Sequence, residues 1–344
     1  MPPLVSLVNE GFTDVRTACK VPSYSPRVSL PFATESEVRH DQPETLAASV
    51  RRIVADNPGP FTYHGTCTYL VGEGEVAVID PGPDDPGHVE AILQALEPGE
   101  RVTHIVVTHT HRDHSPAGRE LKVRTGARTY GFGPQLRLVD PDPTRVVFHD
   151  PEADPDPSKP TPRGSDVDFV PDVALEDGDV VEGAGWSLEA VHTPGHASNH
   201  LCYFLPDERA LITGDHVMGW STSVVSPPDG NIGEYLLSLE KLLDRGQDLR
   251  YLPAHGPDIQ QPQAYVQALL DHRRERSEQI LAALESGPLT IAEMVPRIYA
   301  TTPKVLWPAA ASSVYGHLLH LHETGVVSPE EGSVLQRASR VGKT

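Results

Sequence analysis

The chain has 344 residues, a hydrophobic content of 38% and a mean hydropathy of -0.32, which suits a globular protein with one large domain and a small one, or with two medium domains. Its formal net charge of -20 disfavours a polyanionic partner such as nucleic acid, although a local basic patch could override this repulsion. No apolar run approaches the length of a membrane span and the N-terminus lacks the features of a signal peptide, so we expect a cytoplasmic protein with no membrane partner.

The cysteines point to the same compartment. Cys19, Cys67 and Cys202 are odd in number and far apart in the sequence. Such spacing fits neither a disulfide framework nor a cysteine-type zinc site. We therefore expect free, buried thiols in a reducing environment.

The first third of the chain alternates between strand and helix patterns. Residues 1–50 have no strong period and are read as an irregular N-terminal arm. Strands are predicted at 62–70 and 75–79, followed by a helix at 88–96 and a further strand at 102–108. A helix at 116–124 comes next, with Ser115 as its N-cap and Pro116 at its first position. This alternation predicts a layered α/β architecture.

The stretch from His104 to Ser115 reads H-I-V-V-T-H-T-H-R-D-H-S and contains a dense set of metal-ligand side chains. An apolar run delivers four of them within six residues: His109, His111, Asp113 and His114. Side chains alternate along an extended segment, so His109 and His111 point the same way. Imidazoles and a carboxylate together suit Zn²⁺ or a similar divalent ion.

Residues 140–178 are dominated by proline and aspartate and predict an extended acidic loop. Its carboxylates, and His149 with them, are interpreted as solvated side chains rather than ligands. Strand patterns then resume at 186–191, 201–205 and 210–213, and 235–243 has helical spacing.

An apolar run that ends in a His or Asp beside glycine occurs four times in the chain. After the opening motif come His196 in H-T-P-G-H, Asp215 in G-D-H and His255 in P-A-H-G. An α/β sandwich assembles one site from distant segments by placing such residues at successive strand ends. The recurrence therefore predicts a single catalytic site.

From about residue 262 the sequence pattern becomes predominantly helical. Helices are predicted at 264–285, 290–299 and 309–324, followed by a β-hairpin at 325–335. This succession suggests a winged-helix-like unit at 263–344, after a catalytic domain at 51–262. The third helix lacks base-reading side chains, and residues 260–344 contain eight basic and eight acidic residues. A structural or substrate-lid role is therefore favoured over DNA reading.

These motifs occur in the order found in the metallo-β-lactamase superfamily. The motifs span residues 108–256, and the resemblance as a whole covers about residues 50–340. The segment 57–72 resembles the lactamase-β-like-2 subgroup, whose members also carry a C-terminal winged-helix domain. It implies an α/β fold, a four-layer αβ/βα sandwich, plus a small C-terminal winged-helix-like domain. It also implies two Zn²⁺ or other divalent transition-metal ions per chain, the first at His109, His111 and His196, the second at Asp113, His114 and His255, with Asp215 as the bridge.

Further roles follow from the same resemblance. Asp113 and Asp215 would take part in catalysis as well as in metal binding. Asp80, where family members place an Asp, is expected to orient a ligand histidine from behind. Asn199 and His200 could reach the substrate or leaving group, whereas His192, His216 and Asp258 are expected to pack nearby or lie at the surface.

The resemblance implies hydrolysis of an ester-like bond by a hydroxide that bridges the two metals. A small thioester, ester or lactone is favoured by the acidic surface. The first alternative function is a single-stranded endoribonuclease or phosphodiesterase of the lactamase-β-like-2 type. The second alternative is a DNA-binding protein with a structural metal site. A flavodiiron-type redox role is disfavoured because His111 stands where those relatives have Glu and no flavodoxin-like extension is present. A homodimer is left open.

Overall fold

The computed structural model describes residues 30–32, 37–137 and 164–329, with the backbone of 337–340. The strands in these ranges are β1 (Glu44–Ala47), β2 (Val50–Val54), β3 (Cys67–Val71), β4 (Glu75–Ile79), β5 (Arg101–Val106), β6 (Arg128–Gly131), β7 (Val173–Ala174), β8 (Val180–Gly183), β9 (Trp186–His192), β10 (Leu201–Leu205), β11 (Ala210–Gly214), β12 (Arg250–Pro253), β13 (Leu289–Thr290), β14 (Val327–Pro329) and β15 (Arg337–Arg340). The α-helices are α1 (Pro86–Gln94), α2 (Ala117–Thr125), α3 (Ile232–Arg245), α4 (Pro262–Ala283), α5 (Ile291–Ile298) and α6 (Trp307–Glu323).

Two facing sheets form the middle of the molecule. The first has seven strands in the order β1 to β7, and the second has five in the order β12-β11-β10-β9-β8. Apolar side chains from both sheets, such as Tyr69, Ile79, Leu188 and Tyr203, form a buried cluster between them. Helices α1 and α2 cover the outer face of the first sheet, and α3 and α4 cover that of the second. This confirms the predicted four-layer αβ/βα sandwich.

The strands that carry the site end at the same edge of the sandwich because of their directions. β4, β5 and β6 are parallel neighbours, so the segments that follow β4 and β5 leave the sheet side by side. β11 and β12 are likewise parallel in the second sheet. The strand ends that the sequence marks with His and Asp are therefore brought together.

Local sequence explains where the first helices begin. Asp85 caps α1 by accepting a hydrogen bond from the Gly87 amide at 2.8 Å, and Pro86 takes the first helical position, two residues before the predicted start. The predicted Ser115 cap of α2 is wrong. Pro116 precedes that helix without a side-chain cap, because the Ser115 hydroxyl donates instead to Asp166 at 3.0 Å.

The interpretation of 1–50 as an irregular arm needs correction in its last part. β1 and β2 form an antiparallel pair that extends the first sheet beside β3. β1 lies at the sheet edge with its first two residues exposed, which leaves little alternation of polar and apolar side chains to reveal a strand. Residues 1–29 and 33–36, Cys19 included, lie outside the described residues.

The first predicted strand, at 62–70, also starts later than expected, at Cys67. The reason is a turn in which the Thr66 amide donates to Asn57 Oδ1 at 2.8 Å instead of to a neighbouring strand. Gly65 has a φ of 139° in this turn. An L side chain rarely adopts that φ, so the glycine marks the turn.

One carboxylate of the Pro/Asp-rich segment, Asp166, is buried, contrary to expectation, and an exposed one, Asp172, is held by hydrogen bonds. Asp166 is buried and accepts hydrogen bonds from Ser115 and Arg119. Asp172 accepts from the Thr129 amide at 2.9 Å and from the Lys122 ammonium. Both carboxylates tie the segment to α2 and β6. Residues 138–163, including His149, lie outside the described residues.

The C-terminal unit has its own apolar core and a three-stranded sheet in the order β13-β15-β14. Its α5 begins with a capping box between Thr290 and Glu293. The predicted hairpin is confirmed in kind but not in position, since β14 pairs with β15, which begins only at Arg337. The predicted boundary at 262/263 falls at the start of α4, whose first half packs in the core of the catalytic domain through residues such as Tyr265 and Leu269.

Among the described residues, no helix is long and apolar enough to cross a bilayer.

Candidate metal centre

Seven His and Asp side chains from four separate segments meet at one edge of the sandwich. They form two groups in which the ligand atoms lie within 4.8 Å of one another: His109, His111, His196 and Asp215 in the first, and Asp113, His114 and His255 in the second. All seven residues singled out in the sequence are thus brought together. We call these sets the first and second ligand groups.

Asp215 faces both groups. Its Oδ2 atom lies 3.5 Å from His196 Nε2 in the first group, whereas its Oδ1 atom lies 3.1 Å from His255 Nε2 and 3.6 Å from His114 Nε2 in the second. A carboxylate that presents one oxygen to each of two sets of imidazoles has the geometry of a bridging ligand.

The histidines are held from behind at the ring nitrogen that points away from the cluster. His114 Nδ1 lies 2.8 Å from Asp80 Oδ2, and His255 Nδ1 lies 3.2 Å from the Gly65 carbonyl. His196 Nδ1 lies 2.5 Å from the Val224 carbonyl oxygen. Since a carbonyl or carboxylate oxygen can only accept, each of these Nδ1 atoms carries the proton, and Nε2 is the nitrogen that faces the cluster.

Asp80 takes the place expected of it. It is buried at the end of β4 and accepts two hydrogen bonds from Thr108, from the amide at 2.7 Å and from the hydroxyl at 2.7 Å, besides its contact with His114. Its own backbone carbonyl accepts from the Thr68 hydroxyl at 2.6 Å. These contacts fix the orientation of the carboxylate behind the ligand histidine.

The two groups differ in charge. Burial lowers the pKa of the first group's imidazoles, His109 and His196, and it lowers the pKa of His111 to about 3. In the second group burial alone would lower the pKa of His255, but the Asp215 and Asp113 carboxylates raise it to about 10. The first group is therefore neutral around pH 7 apart from Asp215, and the second is an ion-paired cluster.

The carboxylates show the complementary effect. Burial alone would raise the pKa of Asp113, but His114 and His255 hold it below its usual range. The pKa of Asp215 is likewise lowered by His255 and His114 against the effect of burial. Both side chains are ionised at neutral pH, as a metal ligand requires.

The donor set fits divalent metal ions. His114 Nε2 and Asp215 Oδ1 are buried without a hydrogen-bond partner among the described residues. His109 Nε2 and His196 Nε2 approach His111 Nδ1 to 2.9 and 3.0 Å, so the ring nitrogens of three neutral imidazoles converge. Converging nitrogens and unpartnered buried atoms are poorly stable without a cation between them. Imidazole and carboxylate ligands in this number suit Zn²⁺ and related ions.

A cavity of about 370 Å³ opens onto the centre. His111, Asp113, His196, Asp215 and His255 form its polar floor. Phe61, Met218, Val224 and Pro228 form an apolar wall. Arg137 is the one Arg or Lys on the part of the lining that the structure describes, and it donates to the Glu234 carboxylate, with Nη1 to Oε2 at 2.9 Å.

Asn199 and His200 do not line this cavity. The Asn199 amide is buried and donates to Thr110 Oγ1 and to the Gly133 carbonyl. His200 is also buried, and its Nε2 accepts from the Asp215 amide at 3.2 Å. Both side chains therefore lie behind the ligand groups and not on the described wall of the cavity.

Three other side chains weighed in the sequence have clear positions. His192 stacks on Phe132 with ring centroids 4.6 Å apart, and His216 is fully buried beside Tyr235. Neither belongs to a ligand group. Asp258 was expected at the surface, but it is 15% exposed because it pairs with Arg52 at 2.9 Å.

Sequence reasoning missed Asp229 and Arg273. The buried Asp229 carboxylate accepts from the Ser198 amide at 2.9 Å and from its hydroxyl, and so fixes the loop that follows His196. Arg273 lies in what reads as a charged, solvated stretch of α4, yet it is 4% exposed. The P-P-D-G turn around Asp229 offered a local signal, whereas nothing local distinguishes Arg273 from Arg274.

Comparison with known proteins agrees with the fold and the site. The chain matches the description "Metallo-beta-lactamase superfamily" over residues 61–255 and "Beta-lactamase associated winged helix domain" over residues 290–334. The fold and the histidine–aspartate centre define an enzyme of the hydrolytic metallo-β-lactamase type. The chain belongs to the metallo-beta-lactamase superfamily and carries its associated winged-helix domain, as the sequence motifs predicted.

The chain is similar to several named relatives over most of its length. It is 33% identical to "Beta-lactamase-like protein 2 homolog" of Drosophila melanogaster, over 81% of this chain and 90% of that protein. It is 32% identical to "Lactamase-like protein adaB" of Aspergillus niger, over 76% of each chain. It is 30% identical to "Atrochrysone carboxyl ACP thioesterase" of Aspergillus chevalieri, again over 76% of each.

Two solved structures share the fold. A beta-lactamase domain protein from Burkholderia ambifaria has a TM-score of 0.72 and 21% identity, covering 91% of this chain and 97% of that one. A metallo-beta-lactamase family protein from Thermus thermophilus has a TM-score of 0.66 and 24% identity, covering 86% and 100%.

Proposed function

We propose that the chain is a dinuclear metal-dependent hydrolase that cleaves a small thioester, ester or lactone, with a thioester as the first choice. The observation that carries the proposal is the pair of ligand groups joined by Asp215 on the floor of a cavity with an apolar wall. The name of the Aspergillus chevalieri relative, a carboxyl ACP thioesterase, supports the choice of bond.

The residues of the two groups would hold the metals as the sequence predicts. His109, His111 and His196 would hold one ion, Asp113, His114 and His255 the other, with Asp215 between them. Bound ions, most simply two Zn²⁺, would supply Lewis acidity at the substrate carbonyl and a water molecule of lowered pKa.

The chain's own side chains perform the remaining steps. The apolar wall of Phe61, Met218 and Val224 binds the acyl group and excludes bulk water from the scissile bond. The Asp113 carboxylate, which lines the cavity, would accept a proton from the attacking water as the water oxygen bonds to the acyl carbon. The bond from the acyl carbon to sulfur or oxygen then breaks, and that proton passes to the leaving thiolate or alkoxide. The products are a thiol or alcohol and a carboxylic acid, which ionises to a carboxylate and releases a proton to solvent.

The same cavity argues against a polyanionic substrate. RNA recognition needs free basic side chains along the path of the backbone and aromatic faces for stacked bases. Among the described residues of the lining, Arg137 is the only Arg or Lys, and it is paired with Glu234. The chain as a whole carries a formal charge of -20. A small neutral or singly charged acyl substrate is the better match.

A substrate panel tests the proposal. Zinc-loaded protein would be assayed with an acyl thioester, an oxoester, a lactone, a phosphodiester and single-stranded RNA, with Asp215→Asn as the inactive control and the exposed Asp207→Asn as the matched one. We expect the thioester to give the highest kcat/KM. Asp215→Asn should lower it by more than about 100-fold, since changes behind the ligands alone cost about 10–100-fold.

Preferential cleavage of RNA would replace the proposed substrate with the endoribonuclease alternative. Full activity of Asp215→Asn, or a metal content of one ion or none per chain, would contradict the dinuclear site itself.

A further inference from the structure

Arg273 is a buried cation without an acidic partner among the described residues. It lies in the middle of α4 and is 4% exposed, yet none of the ion pairs found in those residues includes it. Its Nη2 donates to the Ser223 carbonyl, and its guanidinium lies over the Tyr235 ring, 5.2 Å from the centroid. A buried charge without a counter-charge is unfavourable by itself. The position needs a reason beyond the packing of α4.

The carbonyl that Arg273 holds belongs to the loop at 216–228, which forms one side of the metal centre. This loop contributes Met218, Val224, Ser226 and Pro228 to the cavity wall. Val224, the residue after Ser223, accepts the proton of His196 Nδ1 through its carbonyl at 2.5 Å. Arg273 therefore fixes the peptide unit directly before the one that orients a metal-ligand histidine.

Further hydrogen bonds to backbone carbonyls hold the same loop. The Tyr235 hydroxyl of α3 donates to the His216 carbonyl at 3.0 Å, and within the loop the Ser223 hydroxyl donates to the same carbonyl at 2.8 Å. The Tyr265 hydroxyl of α4 donates to the Met218 carbonyl at 2.7 Å. The loop has no regular secondary structure, so these contacts set its shape.

The C-terminal unit also contacts the 216–228 loop, through α6. Helix α6 passes it at Gly316, where an added Cβ would lie 3.3 Å from the Val225 carbonyl oxygen and 3.6 Å from Pro227 Cδ. Near Arg273, Ser277 Oγ of α4 lies 3.0 Å from His317 Nδ1 of α6. Helix α6 thus contacts both the loop and α4 through Gly316 and His317.

We propose that Arg273 is a positioning residue for His196, and that the C-terminal winged-helix unit serves the metal centre by holding the 216–228 loop through α4 and α6. The inference rests on the proposed role of His196 as a ligand of the first group. It gives the C-terminal unit a structural role within this molecule, the support of the metal centre.

The test compares Arg273→Met with Arg274→Met in the full chain. Arg274 neighbours Arg273 in α4, but its side chain is 53% exposed and pairs with Glu240, so the control makes the same change in charge at the surface. Hydrogen–deuterium exchange of the metal-free chains would report on residues 216–228. We expect about tenfold faster exchange there in Arg273→Met, and exchange at the wild-type rate in Arg274→Met.

Zinc affinity provides the second measurement. In a His255→Ala background, which leaves the first ligand group intact, a competing chelator would report the affinity of that group alone. Arg273→Met should weaken it by about 10–100-fold, as expected for a group behind a ligand. Arg273→Lys retains a charge and a donor, so its zinc affinity should fall between those of the wild type and Arg273→Met.

The outcomes separate the two proposals. If Arg273→Met lowers only the melting temperature, with loop exchange and zinc affinity unchanged, Arg273 is a packing residue and the inference is overturned. If Arg273→Met does not fold, Arg273→Lys decides by the same two measurements. If the wild-type chain binds no zinc, the proposed function fails, while the exchange measurement still decides whether Arg273 holds the loop.

Discussion

Asp80 lies outside both ligand groups but orients a histidine of the second group, His114. Its carboxylate accepts two hydrogen bonds from Thr108 and faces His114 Nδ1 at 2.8 Å. In the second ligand group His114 Nε2 points into the centre only while this contact holds the ring. Asp80 has a positive φ of 49° where the chain leaves β4, and its side chain meets Thr108, two residues after the end of β5.

Asp80→Asn should weaken metal binding at the second group by about 10–100-fold and lower the free energy of unfolding by about 1–3 kcal/mol. The reason is that an amide lacks the charge that holds His114 and cannot accept all three contacts. Zinc competition and urea denaturation would measure the two effects. Asp84→Asn, an exposed change in the following loop, is the control; equal behaviour of the two variants would show that Asp80 has no such role.

The two ligand groups should also differ in the protons that they release on binding zinc. Carboxylates raise the pKa of His255 to about 10 and that of His114 above its usual value, so both hold a proton near pH 7 in the metal-free chain. Those protons must leave before the imidazoles can bind a cation. In the first group burial lowers the pKa of His111 to about 3, so the ring is already neutral.

Zinc affinity of the second group should therefore rise with pH between about 6 and 8, by up to about tenfold per unit for each proton released, whereas that of the first group should stay nearly constant. Calorimetry in buffers of different ionisation enthalpy would count the protons. His111→Ala isolates the second group and His255→Ala the first. Equal proton release from both variants would contradict the assignment of charge.

At the scale of elements, the loops between strand ends and helices decide the geometry of the site. Gly195 precedes His196 in the turn that follows β9, with a φ of 138°. A Cβ there would lie 2.4 Å from the Cα of Tyr235 in α3, so the turn and the helix touch through backbone atoms. This close approach places His196 against the other ligands.

Gly195→Ala should lower the free energy of unfolding by about 1–3 kcal/mol more than Gly185→Ala does. Both glycines have a positive φ, but an added Cβ at Gly185 has no neighbour within 4 Å among the described residues. The control therefore carries the conformational penalty of an L residue without the clash. Chemical denaturation measures the difference. Equal destabilisation by the two substitutions would mean that α3 shifts to make room for the added Cβ.

At the scale of the whole molecule, α4 joins two cores. Tyr265, Val266, Leu269 and Leu270 in its first half pack with α3, whereas Ile280 near its end belongs to the core of the C-terminal unit. Arg273 lies between these two sets. Helix α4 therefore belongs to the catalytic domain as much as to the C-terminal unit.

A chain that ends at residue 261 should be far less stable than one that ends at residue 286. Each of the four apolar side chains of α4 contributes about 1.5–3 kcal/mol on burial, and their sum approaches the whole stability of a typical domain, about 5–15 kcal/mol. Thermal unfolding of the two truncated chains measures the difference. Similar melting temperatures would show that α3 and the second sheet are stable without packing against α4.

The sequence by itself determined the class of fold and singled out the His and Asp side chains that converge at one edge of the sandwich. Residues such as His109 and His255 could be recognised because each follows an apolar run and stands beside a glycine or in a motif, and these signals are local. The same holds for the strand and helix periods of β10, α3 and α5. The ligand residues and Asp80 lie where the motifs and the resemblance placed them.

Only the tertiary structure decided what stands behind and around that site. The sequence did not reveal β1, because this edge strand lacks an alternation of polar and apolar side chains. The Ser115 hydroxyl does not cap α2 as predicted but donates to Asp166, which is 51 residues away in the chain. Arg273 and Arg274 are indistinguishable as letters, but one is buried against the Ser223 carbonyl and the other is solvated. Such differences depend on which segment packs opposite a residue, and that partner is chosen by the fold as a whole rather than by the neighbouring sequence.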